Sequence, residues 1–374
     1  MAWPVPEIPP QPPISPPRYS LWVIILLLLL TAGALTALFI GKLTDYWQIL
    51  SYGVLPGLLL WMCAFGVTLN RFEQSRVAAQ YWKSETEHTQ TRWKQWSRRQ
   101  LAIAGNVLLS PESAGMQLLI GNPADISMFP KRGRQLAGMP QEVDGYLVDI
   151  DLLLKKQFPG YRNHLNTIYV LLSAESNQKS VASAVYKQWH LIPEFMTDVS
   201  FISDLFDIQD KNSIAMILCL QHWPGHIPRK SSELISAQLI TSPEYVSQHK
   251  LQCLAGLGRM MPLEHKNLNE ELKMLFNYNG LDTRPPEYVW LSGEIEGTQP
   301  VIAQFAYKRH WRLPLKQPFH YIDLTFGPPG ELSFAITLAM LAEAADLTSK
   351  DQLIISQMPQ PSGWMCLITR ELFS

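Results

Sequence analysis

The chain has 374 residues and a formal net charge of -1, with 17% charged residues against 47% hydrophobic ones. A balance so near zero gives no whole-molecule attraction to nucleic acid or to an acidic partner. Cys63 falls in an apolar run, and Cys219, Cys253 and Cys366 form an odd set, so no disulfide framework is expected.

The first stretch, residues 1–20, is punctuated by Pro4, Pro6, Pro9, Pro10, Pro12, Pro13, Pro16 and Pro17. Such a segment favours extended polyproline II and cannot build a core. It reads as a stiff disordered tail on the cytoplasmic side, with a docking peptide for a cytoplasmic partner as the second reading.

Two uncharged apolar runs follow, residues 21–40 and 47–69. A helix rises about 1.5 Å per residue and the hydrocarbon core is about 30 Å thick, so roughly 20 such residues suffice to cross. The connector Gly41–Tyr46 allows only a tight hairpin, and Pro56 beside Gly57 predicts a kink in the second span. Ala32-Gly33-Ala34 offers the small residues of a signal-peptide cleavage site, but the long proline-rich lead with only Arg18, and the second run directly after, argue for an anchor. The connector carries only Lys42, whereas Arg71, Arg76, Lys83, Arg92, Lys94, Arg98 and Arg99 follow the second run. The positive-inside rule therefore predicts an inner-membrane hairpin with both termini cytoplasmic and the lipid bilayer as its first partner.

Residues 70–100 contain no proline or glycine and read as a helix leaving the membrane. Trp47, Arg71, Arg76, Lys83, Trp93 and Trp96 are its candidate membrane-interface residues; packing of the tryptophans on the soluble body is the competing reading.

The remaining residues, 101–374, carry an internal duplication. Tyr169–Glu175 (YVLLSAE) matches Tyr288–Glu294 (YVWLSGE), about 120 residues on. Tyr186-Lys187 then matches Tyr307-Lys308, Pro193 matches Pro314, and Asp204-Leu205 matches Asp323-Leu324. Ser213, Ala215 and Leu218 pair with Ser333, Ala335 and Leu338, and Leu234–Gln238 with Leu353–Gln357. Each copy reads as a strand (168–173; 288–292), a helix (180–189; 300–310), a turn, a second helix (213–221; 333–344) and a closing strand (234–241; 352–357). Short apolar strands alternating with helices predict an α/β fold with a largely parallel sheet covered on both faces, in two halves (101–245 and 246–374) about a pseudo-twofold axis.

Two such halves, opened by LAIAGNVLLSP (Leu101–Pro111) and ending in FGPPGELSFAITLAMLAEAADLTSKDQLIIS (Phe326–Ser356), resemble the thiolase and β-ketoacyl synthase family. The resemblance implies a duplicated thiolase-like layered fold and a cysteine at the start of a helix, where the dipole lowers the thiol pKa, assisted by two histidines or by histidine and cysteine. By internal alignment the nucleophile slot falls near Asp207 to Asp210, and no cysteine occurs from Phe201 to Leu218. Pro328 follows Gly327 where the family has histidine, Asp323 stands where the synthases have lysine, and Gly330 closes the late loop. None of these replaces the missing chemistry, so the resemblance implies a pseudoenzyme with no cofactor. The layout as a whole resembles accessory membrane proteins of type VI secretion. The expected function is therefore an adaptor or scaffold for a secretion component or effector, with an acyl- or lipid-processing enzyme and a membrane-bound immunity protein as alternatives.

Other constellations carry less. Cys219, His222 and His226 follow C-x2-H-x3-H, and His249 and Cys253 follow H-x3-C, which are zinc-ligand types. Cys219 is expected on a helix with an apolar repeat partner, and the histidines flank a turn, so no metal is expected. Ser173 and Ser176 lack the nucleophile-elbow glycines. Gly256 and Gly258 make only half a phosphate loop. Asp149 and Asp151, after Asp144, are expected on the wet side of a strand, and Lys131, Arg132 and Arg134 form a small basic loop fit at most for a phosphate or headgroup.

Overall fold

The computed structural model describes residues 3–6, 8–121, 128, 131–138, 142–173, 176–208, 213–223, 229–263, 267–293, 297–357 and 363–373. Two compact units divide the chain: residues 5–93, and residues 1–4 together with 94–374.

In the first unit α1 (Tyr19–Phe39) and the apolar part of α3 (Leu55–Ser97) form a hairpin, joined through the single turn α2 (Tyr46–Ile49) and a π-helical turn, Leu50–Val54. The two helices are long and apolar enough to cross a membrane. Their backbones meet at glycines: a Cβ on Gly33 would stand 2.3 Å from the Gly53 carbonyl oxygen, and one on Gly53 2.5 Å from that of Gly33. Trp61 Nε1 donates to the Trp22 carbonyl at 2.7 Å and its ring stacks on Phe65 at 4.8 Å. Pro56 follows directly on the π turn inside a helix that runs on from Tyr46 to Ser97, so the π turn, and not a free helix start, is where its missing N–H is taken up. The stretch 70–97 expected as a separate helix is the unbroken continuation of this 43-residue α3. At about 1.5 Å per residue α3 is roughly 65 Å long, twice the bilayer core.

The second unit is built on one sheet. Half one supplies β1 (Leu101–Leu109), α4 (Met116–Ile120), α5 (Val143–Gln157), β2 (Leu165–Leu172), α6 (Gln178–Trp189), β3 (Glu194–Met196), α7 (Phe201–Ile208), β4 (Ile214–Gln221) and β5 (Leu234–Thr241). After α8 (Pro243–His249), half two supplies β6 (Ala255–Leu257), β7 (Met261–Leu263), α9 (Leu268–Asn279), β8 (Tyr288–Gly293), α10 (Thr298–Lys308), β9 (His320–Tyr321), α11 (Ile322–Phe326), α12 (Ser333–Thr348), β10 (Gln352–Gln357) and β11 (Gly363–Thr369).

The strand order β3-β2-β4-β5-β1-β6-β11-β10-β8-β9 reads as the same five-strand unit twice, mirrored about the antiparallel β1–β6 pair. In each unit the first three strands are parallel (β3-β2-β4; β9-β8-β10), and β5 or β11 turns back against them. The pseudo-twofold axis runs between β1 and β6.

This topology corrects three sequence readings. Residues 214–221 are strand β4, buried throughout, and not a helix: an unbroken apolar run fits a buried helix and a buried strand equally well. With β4 in place, the partner of β10 is β4 and that of β5 is β11, so the likeness of LISAQ to LIISQ joins strands that are not equivalent, and the pairing of Ser213, Ala215 and Leu218 with α12 residues fails. VDIDLLL lies in helix α5, where Asp151 turns inward and is 3% exposed. Its carboxylate accepts from the Tyr161 hydroxyl at 2.6 Å and Arg162 Nε at 2.9 Å, and pairs with Lys155 at 2.8 Å. Burial alone would raise its pKa, and those donors outweigh burial and hold it low.

Between the third and fourth strands the halves differ. Half two places α11 and the sixteen-residue α12 there, the latter buried along nearly its whole length. Among the described residues half one has there only α7, of eight residues. Side chains alternate across β4: Ile217 and Cys219 join the core against α12, while Met216, Leu218 and Leu220 join the core under α5 and α6. The fully buried Met116 and Leu119 of α4 also enter the α12 core.

Candidate functional site

In α/β sheets the parallel strands release their chains at the carboxyl edge, where ligands bind. Asp207, Asp323 and the late loop 326–330, all singled out from the sequence, are each already engaged.

Asp207, at the end of α7, is tied to Arg259 by two bonds, Nη2 to Oδ1 at 2.6 Å and Nη1 to Oδ2 at 3.1 Å. The Arg259 guanidinium is 4.2 Å from the Trp96 ring centre and 4.9 Å from that of Phe206, and its Nε donates to the Trp96 carbonyl at 3.0 Å. Arg259 is 4% exposed, so this carboxylate, the Trp96 carbonyl and these rings stand in for the water it has lost. Trp3 sets its ring edge-on to Trp96 and donates from Nε1 to the Met260 carbonyl at 3.0 Å. Trp96 is thus a packing residue of the body, the competing reading of the sequence. Asp207 serves as an anchor for Arg259. Arg259 directly follows the Gly256 and Gly258 weighed in the sequence but was not itself singled out, because no local acid signalled its partner, 52 residues away.

Asp323, in α11, accepts from the Ser292 hydroxyl at 3.0 Å and from the Gly293 N–H at 2.6 Å, both at the carboxyl end of β8. Burial pushes its pKa up from 3.8 to about 6, against the lowering effect of those two donors. Its protonation therefore changes close to neutrality. Ser173, the repeat equivalent of Ser292, shares a hydrogen bond with Ser176 at 2.9 Å.

The late loop is wedged against half one. Gly327 has φ of +93°, and a Cβ there would fall 2.4 Å from Ser232 Oγ; one on Gly330 would fall 2.2 Å from Gln221 Oε1. Gln221 donates to the Ser232 carbonyl at 2.7 Å and accepts from Leu332 N–H at 3.3 Å. Ser232 Oγ accepts from Arg134 N–H at 2.9 Å, and the Arg134 side chain runs to Glu112 and to the Thr325 carbonyl. Buried Glu233 is used up by the N–H groups of Trp223 and Leu136, at 2.7 and 3.1 Å. Ser232 and the Arg132 carbonyl stand against Gly327 and Gln221 against Gly330, while Pro328 is half-buried.

None of the four cysteines opens a helix: Cys63 is inside α3, Cys219 in the middle of β4, Cys253 between α8 and β6, and Cys366 inside β11. Burial pushes the Cys219 thiol up to about 12 and raises those of Cys253 and Cys366 as well, the opposite of an activated nucleophile. Cys219 lies within β4 and His222 just beyond its end, while His226 and Asp210 lie outside the described residues. Among the described residues no group of three metal-ligand side chains gathers. Of the interface candidates, Trp47 is exposed, Arg71 is exposed, Arg76 and Lys83 face Glu73 and Glu87 along α3, and Trp93 is half-buried.

The fold of residues 94–374 is thiolase-like. It is similar to a type II polyketide ketosynthase complex with its acyl-carrier protein (TM-score 0.55, 9% identity, 73% of this chain and 100% of that one). It is also similar to an oxazolomycin ketosynthase domain of Streptomyces albus (0.52, 8%, 73% and 96%) and to the module 1 ketosynthase of the bacillaene synthase of Bacillus amyloliquefaciens (0.50, 10%, 75% and 77%). At these identities the likeness is one of fold. No family model matches the chain, and no curated protein is similar to it.

Proposed function

We propose that the protein is a non-enzymatic adaptor. Its hairpin sits in a bacterial inner membrane with both termini cytoplasmic, and its catalytically degenerate thiolase-like domain holds a protein partner, a type VI secretion component or effector. The observation that carries this reading is the asymmetry between the halves. Where half two has α12, half one has the short α7, whose Asp207 is committed to Arg259. The buried, unactivated cysteines support it, as does the late loop packed on Gln221 and Ser232. The cation bias after the second apolar run, from Arg71 to Arg99 against Lys42 alone, supports the orientation.

The experiment is a pull-down of the tagged full-length chain from solubilised membranes, beside an acyl-thioester hydrolysis assay on the same preparation. A specific protein partner with no thioester turnover is expected. Turnover above the detergent blank would overturn the reading and favour a lipid- or acyl-processing enzyme.

A further inference from the structure

Beyond its apolar run α3 has a seam. Phe72, Ser75, Ala79, Trp82, Thr86 and Thr89 recur at alternating spacings of three and four, and all but Trp82, at 37% exposure, are half-buried. That is the spacing by which a helix receives a second helix. What lies on it is the proline-rich arm. The Ile14 N–H donates to Ser75 Oγ at 2.9 Å, and Trp82 Nε1 donates to the Pro9 carbonyl at 2.9 Å. Ile8 to Pro13 line one groove together with Arg76, Ala79, Trp82 and Thr86.

The two bonds place the arm antiparallel to the helix. Five arm residues span about 15 Å as polyproline II, and the seven helix residues opposite span about 10 Å; the reach of the Trp82 side chain covers the difference. An indole N–H aimed at a carbonyl among prolines is the chemistry by which aromatic grooves read polyproline II, whose carbonyls have no internal partner. The seat is thin: Pro9, Pro10, Gln11, Pro12 and Pro13 stay exposed, and Ile14 is 61% exposed.

We propose that the α3 face from Phe72 to Thr89 is a binding surface for a polyproline II segment, and that the arm Ile8–Ile14 is its resident, exchangeable occupant. A proline-reading partner and α3 therefore compete for one ligand. The test uses the full-length chain in detergent and a fluorescent synthetic peptide of residues 4–18, read by anisotropy. In a variant with Pro9, Pro10, Pro12 and Pro13 all changed to serine the seat is vacated. The peptide binds this variant at least about tenfold more tightly than the unaltered chain, whose tethered arm competes at an effective concentration on the order of 1 mM. Adding Trp82→Ala to the variant cuts that binding about tenfold or more, whereas Ser84→Ala, on the opposite side of the helix, leaves it unchanged. Equal binding to both chains, no binding to the vacated one, or equal loss with Ser84→Ala would each overturn the proposal.

Discussion

Replacing Asp323 by asparagine tests the reading of the candidate corner most directly. The folded carboxyl titrates at about 6 and an unfolded one at about 3.8. Below the lower value both states hold the proton. Between the two values the folded chain keeps a proton that the unfolded chain has released, so stability falls as pH rises; above about 6 the loss is complete and constant. A rise of that size is worth at most about 3 kcal/mol, and residual solvent access brings it nearer 1–2 kcal/mol. Asparagine keeps an oxygen for the Gly293 N–H and the Ser292 hydroxyl and cannot ionise. The Asp323→Asn chain is therefore expected to equal the unaltered one near pH 4, to exceed it by about 1–2 kcal/mol at pH 7.5, and to lack the fall between. Urea unfolding followed by tryptophan fluorescence at pH 4.5, 5.5 and 7.5 measures all three. A variant less stable at pH 7.5 would show that the two hydrogen bonds to the ionised form outweigh its burial, and the raised pKa of Asp323 would be wrong.

Asp207→Asn leaves the buried Arg259 without its counter-charge and is expected to cost about 2 kcal/mol in the same unfolding assay; a change below about 0.5 kcal/mol would show that the Trp96 and Phe206 rings suffice. Trp290, fully buried in β8 with its N–H on Gln352 at 2.8 Å, is expected to cost about 3–5 kcal/mol on truncation to alanine. In the hairpin, Gly53→Val drives a branched carbon into the Gly33 carbonyl. The valine is expected to lower the temperature at which the full-length chain in detergent loses its helical circular dichroism. An unchanged melt would mean that the glycine contact does not set the packing.

The duplication was legible where local pattern and tertiary position agree. β2 and β8 share YV-x-LS, and α6 and α10 share Tyr-Lys, because each pair occupies the same place in its half and meets the same neighbours. It became illegible where the halves diverge. Where the described residues of half one show no counterpart of α12, constant spacing in sequence no longer marks equivalent strands, and IAMILCLQ carries no period by which to tell strand from helix. Alternation misled at VDIDLLL, since Asp151 is buried through partners on other turns and elements, Tyr161, Arg162 and Gln188, that a local window does not contain. The Arg259 clamp was hidden for the same reason: Trp96, Phe206 and Asp207 converge on it from distant parts of the chain.

The central helix α12 has a further consequence for how the chain is made. The β1, β4 and β5 face that it covers is complete once Thr241 has been synthesised, yet its cover ends only at Thr348. At about 5–20 residues per second a ribosome needs roughly 5–20 s to supply that stretch. Throughout that interval Ile217, Cys219 and Ile240 stand open to solvent, so the nascent half is a natural client for chaperones, and translation halted near residue 245 should leave an insoluble fragment.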